Sequence, residues 1–179
     1  MAEGSAEDRF TRLWVDHRGD VTRFVQRRVP DDMVDDVVSE TFTVAWRRLD
    51  EMPGEERAWL FGVARNVMAT HTRTHGRWRA LAVRAAIEPP ETGLSAEAAA
   101  VDRVELARAW MSLTDGEREV MALVAWEGLT TQEAAQVLGC RPSTFSVRLV
   151  RARRHLVDAL ERGSVRAGSR PPRYTRSWP

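Results

Sequence analysis

Residues 130–156, TTQEAAQVLGCRPSTFSVRLVRARRHL, decide the fold. Thr130 is placed to cap a first helix, and Glu133 three positions on completes a reciprocal capping box. Ala134, Ala135, Val137 and Leu138 give that helix an apolar face. Gly139 suits the left-handed residue that ends a helix, and Pro142 suits the first turn of the next. The second helix carries Phe145, Leu149, Ala152 and Leu156 at i, i+4, i+7 and i+11, a single inward stripe. Ser143, Thr144, Ser146, Val147, Arg148, Val150, Arg151, Arg153 and Arg154 are left facing outward or flanking. This is the layout of a helix-turn-helix, whose second helix enters the major groove of DNA. The bland alternative is a helical hairpin with a solvated basic face. Cap, turn, stripe and outer arginines all agree, which favours DNA.

Charge distribution points the same way. The formal net charge is only +1, but the charges are segregated. Residues 1–56 are net −6, 57–87 net +6, 88–139 net −7 and 140–179 net +8. Two basic blocks separated by acidic ones fit two contacts with a polyanion. In free protein the opposite charges are expected to pack on one another and mask both DNA surfaces.

Working outward, no segment alternates with period two for long enough to read as a strand, so the chain is expected to be all-α. One helix is expected over residues 5–29, capped by Ser5, with a break or bend at Gly19. A second opens at Asp31 and turns Val34, Val37, Val38, Thr41, Phe42, Ala45, Trp46 and Leu49 inward. Residues 49–56 (LDEMPGEE) read as a loop. A long third helix runs from about residue 57 to beyond 73, burying Trp59, Leu60, Val63, Val67 and Met68. Residues 88–96 (EPPETGLSA) form the clearest linker, with paired prolines and a glycine. A helix over 95–111 then leads to a second capping box, Thr114 with Glu117. The organisation is therefore two small helical domains joined by a flexible linker: 1–87, a linker over 88–98, 99–162 with the helix-turn-helix, and a basic, disordered tail over 163–179. The single cysteine, Cys140, excludes an internal disulfide and reads as a small buried residue. There is no apolar leader and no run long enough to span a bilayer, so no membrane insertion and a cytoplasmic location are expected.

Three blocks resemble bacterial sigma factors of the extracytoplasmic-function (ECF) type, the minimal two-domain class. DDVVSETFTVAWRRL (residues 35–49) is similar to the family's core-polymerase-binding helix. AWLFGVARN (58–66) resembles the start of its downstream promoter-recognition helix. Residues 113–156 resemble its upstream-element domain. With the helices between them the blocks span roughly residues 10–160, and their order is more specific than any block alone. Ser39 stands where the family often has glutamine, and Thr70 where an acid is usual. Ser146 replaces the common basic residue of the recognition helix, and Arg141 sits at a cap where serine is common.

The resemblance implies a transcription initiation factor that binds core RNA polymerase, directs it to promoters through two DNA elements and helps open the duplex. The outer face of the second helix, Asp32, Asp35, Asp36, Ser39, Glu40, Thr43 and Arg47, would dock on a basic helical hairpin of the polymerase. An acidic helix start is also a plain macrodipole stabiliser. The loop residues Asp50, Glu51 and Met52, with Arg65, Asn66, Arg73, Arg77 and Arg79, would handle the downstream element. Trp59 and Phe61 are candidates to stack on bases, although Trp59 lies on the apolar stripe. On the recognition helix, Ser143, Thr144, Ser146, Val147, Val150 and Arg151 would read the upstream element. Arg148, Arg153 and Arg154 would hold phosphates. Promoter DNA and core polymerase are the expected partners, and an anti-sigma factor is a further candidate.

The 113–139 stretch also resembles response-regulator-type transcription factors, which bind DNA as dimers without replacing a polymerase subunit. The two N-terminal blocks argue against that alternative. Nor is an enzyme expected. Four scattered histidines, one cysteine and no phosphate-cradling glycine loop make no catalytic constellation. His71 and His75 have the spacing of a metal pair but lack a third ligand, so neither metal nor cofactor is expected.

Overall fold

The computed structural model describes residues 5–75 and 96–166, and all regular structure there is helical. The helices are α1 (Ala6–Gln26), α2 (Val34–Arg47), α3 (Glu56–His75), α4 (Ala96–Ser112), α5 (Asp115–Ala125), α6 (Thr131–Val137) and α7 (Pro142–Arg166). Short 3-10 turns at Asp31–Met33 and Leu49–Glu51 precede and follow α2. The linker up to Ser95 and the tail beyond Arg166 lie outside the described residues.

Local chemistry sets the helix boundaries. The Ser5 hydroxyl accepts from the Asp8 amide while the Asp8 carboxylate accepts from the Ser5 amide. The same reciprocal box opens α5 at Thr114 and Glu117 and α6 at Thr130 and Glu133. Gly19 does not break α1. A mid-helix glycine costs about 1 kcal/mol, and burying Leu13, Val21, Phe24 and Val25 from one continuous helix outweighs it. At the other end α7 runs through Gly163 to Arg166, four residues into the stretch expected as tail.

The N-terminal domain packs α1, α2 and α3 around Phe24, Phe42, Phe61, Leu60 and Met68, all fully buried. Phe24 and Phe61 stack face to face at 4.3 Å, and Trp14 meets Phe42 edge-on at 4.5 Å. Trp46 departs from expectation: it is 45% exposed, and its ring forms a T-shaped pair with Phe10 at 5.1 Å. It follows Ala45 on the rim of the stripe.

α3 is buried on more than one side. Leu60, Phe61, Ala64, Val67 and Met68 are buried, and so are Ala58 and Val63. The reason is α6, which lies on the side of α3 formed by Ala58, Trp59, Gly62 and Val63. A Cβ placed on Gly62 would sit 3.8 Å from the Val137 Cα, so the two backbones approach closely there. The main apolar core therefore continues from α1–α3 into Val120, Leu123, Leu129, Ala134, Ala135, Val137, Phe145 and Leu149 of the C-terminal domain. Trp110 of α4 and Trp126 after α5 add a tilted ring pair at 5.0 Å.

An ion cluster borders this junction. The Glu127 carboxylate, 3% exposed, accepts from Arg27 Nη1 and Arg28 Nη1, each at 2.9 Å. Arg57 Nη2 donates to the Glu127 backbone carbonyl at 2.8 Å, and Arg57 Nε donates to Asp20 at 2.7 Å. The Arg28 guanidinium lies 3.6 Å from the centroid of the Phe24 ring and the Arg57 guanidinium 4.9 Å from that of Phe61. Those rings are the stacked pair, so the domain junction and the N-terminal core share one aromatic support. Sequence reading missed Arg27, Arg28, Arg57 and Glu127.

Candidate polymerase and nucleic-acid interfaces

Three surfaces carry the expected site residues. The first is the outer face of α2. Because α2 buries Val34, Val37, Val38, Thr41, Phe42 and Ala45, its acids are forced to the opposite side. Asp35, Asp36, Ser39, Glu40, Thr43 and Arg47 are all exposed, as is Asp32 in the preceding turn. The Thr43 hydroxyl donates to the Ser39 carbonyl at 2.9 Å, and the Glu40 carboxylate lies 2.8 Å from His71 Nε2. That pair ties the face to the end of α3 and gives His71 a structural partner. Among the described residues no group of three or more His, Cys, Asp or Glu is placed to hold a metal.

The second surface is less unified than expected. Asp50 is exposed and paired with Arg9 at 3.0 Å, and Glu51 is paired with Arg48 at 2.9 Å. Met52 is half-buried against the core. Arg65 is half-buried and Asn66 exposed. Both line a cavity of about 230 Å³ closed on its far side by residues 136–139 of the C-terminal domain. Phe61 is fully buried beneath Phe24 and is no base-stacking residue in this arrangement. Trp59 is half-buried, with the Arg48 guanidinium 5.9 Å from its ring centroid. Arg73 falls in the last turn of α3, and Arg77 and Arg79 lie outside the described residues.

The third surface is the helix-turn-helix, and its local logic follows the sequence closely. Gly139 has φ +61°, and the Cys140 amide donates to Ala135 at 3.0 Å, closing α6. Cys140 itself is half-buried. Phe145, Leu149 and Ala152 are buried and Leu156 half-buried. Ser143, Thr144, Ser146, Val147, Arg148, Val150, Arg151 and Arg154 are exposed, whereas Arg153 is half-buried. Val147 and Val150, 51% and 63% exposed, are apolar groups on an otherwise polar face, suited to thymine methyls. Ser146 donates to the Pro142 carbonyl at 3.0 Å, which occupies its hydroxyl proton inside the helix.

The glutamates of the C-terminal capping boxes are held below the usual carboxylate range. For Glu133 the Thr130 hydroxyl and amide bonds are the main cause, with the nearby Arg57 charge adding to them. For Glu117 partial burial pushes up, but the Thr114 bonds and His155 together outweigh it. The masking expected of both DNA surfaces is only half realised. The acidic segment does pack on the N-terminal domain through Glu127, yet the outer residues of α7 stay exposed. What the C-terminal domain covers is α3, because α6 rather than α7 is its docking helix.

Residues 13–78 match the family model for sigma-70 region 2, and residues 103–156 match that for sigma-70 region 4. The sigma factor CnrH of Cupriavidus metallidurans is 35% identical over 76% of this chain and 78% of that protein. The chain belongs to the RNA polymerase sigma factors of the ECF type. The ECF sigma factor SigC of Mycobacterium tuberculosis is 34% identical over 79% of this chain and 78% of its own length. Among solved structures, CnrH in complex with the cytosolic domain of CnrY is 31% identical, covers 86% of this chain and 88% of that one, and gives a TM-score of 0.58. RpoE of Bartonella quintana, in complex with the anti-sigma factor NepR, is 25% identical with the same TM-score and covers 85% and 96% of the two chains. As a sigma factor the protein is a promoter-specific transcription initiation factor for RNA polymerase. The region 2 match over α1–α3 leaves the dimeric-regulator alternative without support, since that reading gives these helices no role.

Proposed function

We propose that this sigma factor binds core polymerase through Asp32, Asp35, Asp36, Ser39, Glu40, Thr43 and Arg47. The observation that carries the assignment is that α2 and the turn before it present these residues as one exposed face while Val34, Val37, Val38, Thr41, Phe42 and Ala45 are buried on the other side. Four carboxylates and few competing ion pairs suit a basic partner. Asp50, Glu51, Met52, Arg65, Asn66, Arg73, Arg77 and Arg79 engage the downstream element, and the outer residues of α7 read the upstream one. The domains divide as 1–87 and 99–162. The protein works by binding alone, without catalysis, metal or cofactor. It acts in the cytoplasm, and no described helix is long and apolar enough to cross a membrane. A protein inhibitor of the anti-sigma kind is a natural partner, since RpoE was solved with one.

The experiment is to mix the protein with sigma-free core polymerase, sequence the transcript starts and footprint the promoters found. Holoenzyme should initiate at a defined promoter set and unpair the downstream element. Free protein should protect the same DNA weakly. Strong unaided protection, or no polymerase-dependent unpairing, would count against the reading.

Within α7 both Arg151 and Arg154 are exposed, and Arg151, with Arg148, also lines a cavity shared with Arg65 of α3. Arg151→Ala is expected to cost about 1–3 kcal/mol and relax preference at one base pair. Arg154→Ala should weaken all sequences alike and lower the salt slope by about one. A selection from random DNA decides this, and an unchanged upstream preference in Arg151→Ala would remove that residue from recognition. Arg153, being half-buried, contributes less to phosphate contact than its position in the sequence suggested.

A further inference from the structure

The buried cluster at the domain junction is chemically unusual. Arg27 and Arg28 directly follow α1 and Arg57 lies in the first turn of α3, so all three belong to the N-terminal domain. Their shared acceptors, the two carboxylate oxygens and the main-chain carbonyl of Glu127, belong to the C-terminal domain. Three guanidinium groups converging on three oxygens is an arrangement matched to a tetrahedral oxyanion as well as to a carboxylate. Arg28 is not fully served by Glu127. Its side chain is 0% exposed, yet Nη2 and Nε have no hydrogen-bond partner among protein atoms. Glu119 approaches Nε only to 3.6 Å. A ligand with more oxygens than a carboxylate would meet those donors.

Charge sharpens the point. In the closed arrangement Arg27, Arg28 and Arg57 are balanced by Glu127, Glu119 and Asp20. If the domains part, Glu127 and Glu119 leave with the C-terminal domain. Three guanidinium charges then face Asp20, which Arg23 also shares, and this leaves an excess of positive charge at the start of the helix that also carries Arg65 and Asn66. Such an excess beside a DNA-facing helix attracts phosphates.

We propose that Arg27, Arg28 and Arg57 form a phosphodiester-binding site for promoter DNA, and that the Glu127 carboxylate fills this site while the domains are closed. The choice of DNA as ligand rests on the sigma-factor reading; the anion site itself rests on the geometry. Glu127 and a DNA phosphate compete for the same donors. Apparent DNA affinity is therefore reduced by the fraction of protein held closed, and whatever separates the domains uncovers a new contact.

The test uses the full chain and a labelled mixed-sequence duplex titrated at several salt concentrations, with dyes at the exposed Val15 of α1 and Met111 of α4 reporting domain separation. Glu127→Gln keeps the side-chain shape and removes the charge. It is expected to part the domains, tighten DNA binding about tenfold and steepen the log–log salt slope by about two. Adding Arg27→Gln and Arg57→Gln to that variant should cancel both gains. Gly62→Leu gives a second route, because a side chain larger than a methyl there meets the α6 backbone while every charge is kept. It should give the same gain in DNA affinity, and it remains the readout if Glu127→Gln does not fold. Separated domains without tighter, more salt-sensitive DNA binding would overturn the proposal, as would gains that survive loss of the two arginines. Binding to sigma-free core is measured on the same proteins. Core binding without the DNA gain refutes the anion site alone, whereas the DNA gain without core binding leaves the site standing and removes the polymerase assignment.

Discussion

Reversing two charges on the outer face of α2, Asp36→Arg together with Glu40→Arg, is expected to abolish binding to core polymerase while the protein stays folded. Both residues are exposed, and neither lies among the buried Val34, Val37, Val38, Thr41, Phe42 and Ala45. The cost to folding is small. Asp36 stands in the first turn of α2, where an acid is favoured by the helix dipole by about 0.3–1 kcal/mol. Glu40 pairs with His71 at the surface, a type of contact contributing roughly 0–1 kcal/mol. At an interface with a basic partner the same reversals place like charges together, which costs several kcal/mol. The expected loss in affinity is about hundredfold or more. A pull-down with core, beside a thermal melt of the free variant, checks both halves. Retained core affinity in a folded double variant would remove this face from the interface.

Truncating Phe145 to alanine should have the largest effect on the C-terminal domain. Phe145 is fully buried at the junction of α6 and α7 and joins the main core. Removing a buried phenylalanine side chain costs about 3–5 kcal/mol, which approaches the whole stability of a small domain. The helix-turn-helix is expected to lose its fixed geometry, so upstream-element preference disappears. Core binding through α2 should persist, because α1–α3 keep Phe24, Phe42, Phe61, Leu60 and Met68. Val150→Ala serves as the control: it lies on the same helix but is 63% exposed, and surface changes stay within about 0.5 kcal/mol. A melt followed by circular dichroism, with promoter binding by the holoenzyme, decides the matter. A Phe145→Ala protein with an unchanged melt would mean the α6–α7 contact is held elsewhere.

Where sequence and structure diverge, the difference follows from how far apart the interacting residues lie. Gly19 carried the signal of a helix break, but distant packing partners for Phe24 and Val25 kept α1 whole. Trp46 fell on the apolar stripe of α2 and yet came out 45% exposed, at the rim of the stripe where Phe10 meets it edge-to-face. Phe61, a candidate for stacking on bases, is spent on Phe24 in the core. The sequence hint of the domain junction was the opposite charge of residues 57–87 and 88–139, which did not single out Glu127. Nothing in its neighbourhood named the arginines that hold it.

The sequence by itself determined the helices, their caps and the orientation of the recognition helix. These depend on residues three, four or seven apart: Thr130 finds the Glu133 amide within its own turn, and Phe145 and Leu149 share a face because a helix repeats every 3.6 residues. It also placed the acids of α2 outside, since the buried stripe leaves them no other side. Only the tertiary structure decided that α6 lies on α3 and that Arg28 meets a carboxylate ninety-nine positions away. Such a pairing has no periodicity to announce it. It arises when two apolar helix faces, each legible alone, choose one another and bring the charges at their borders together.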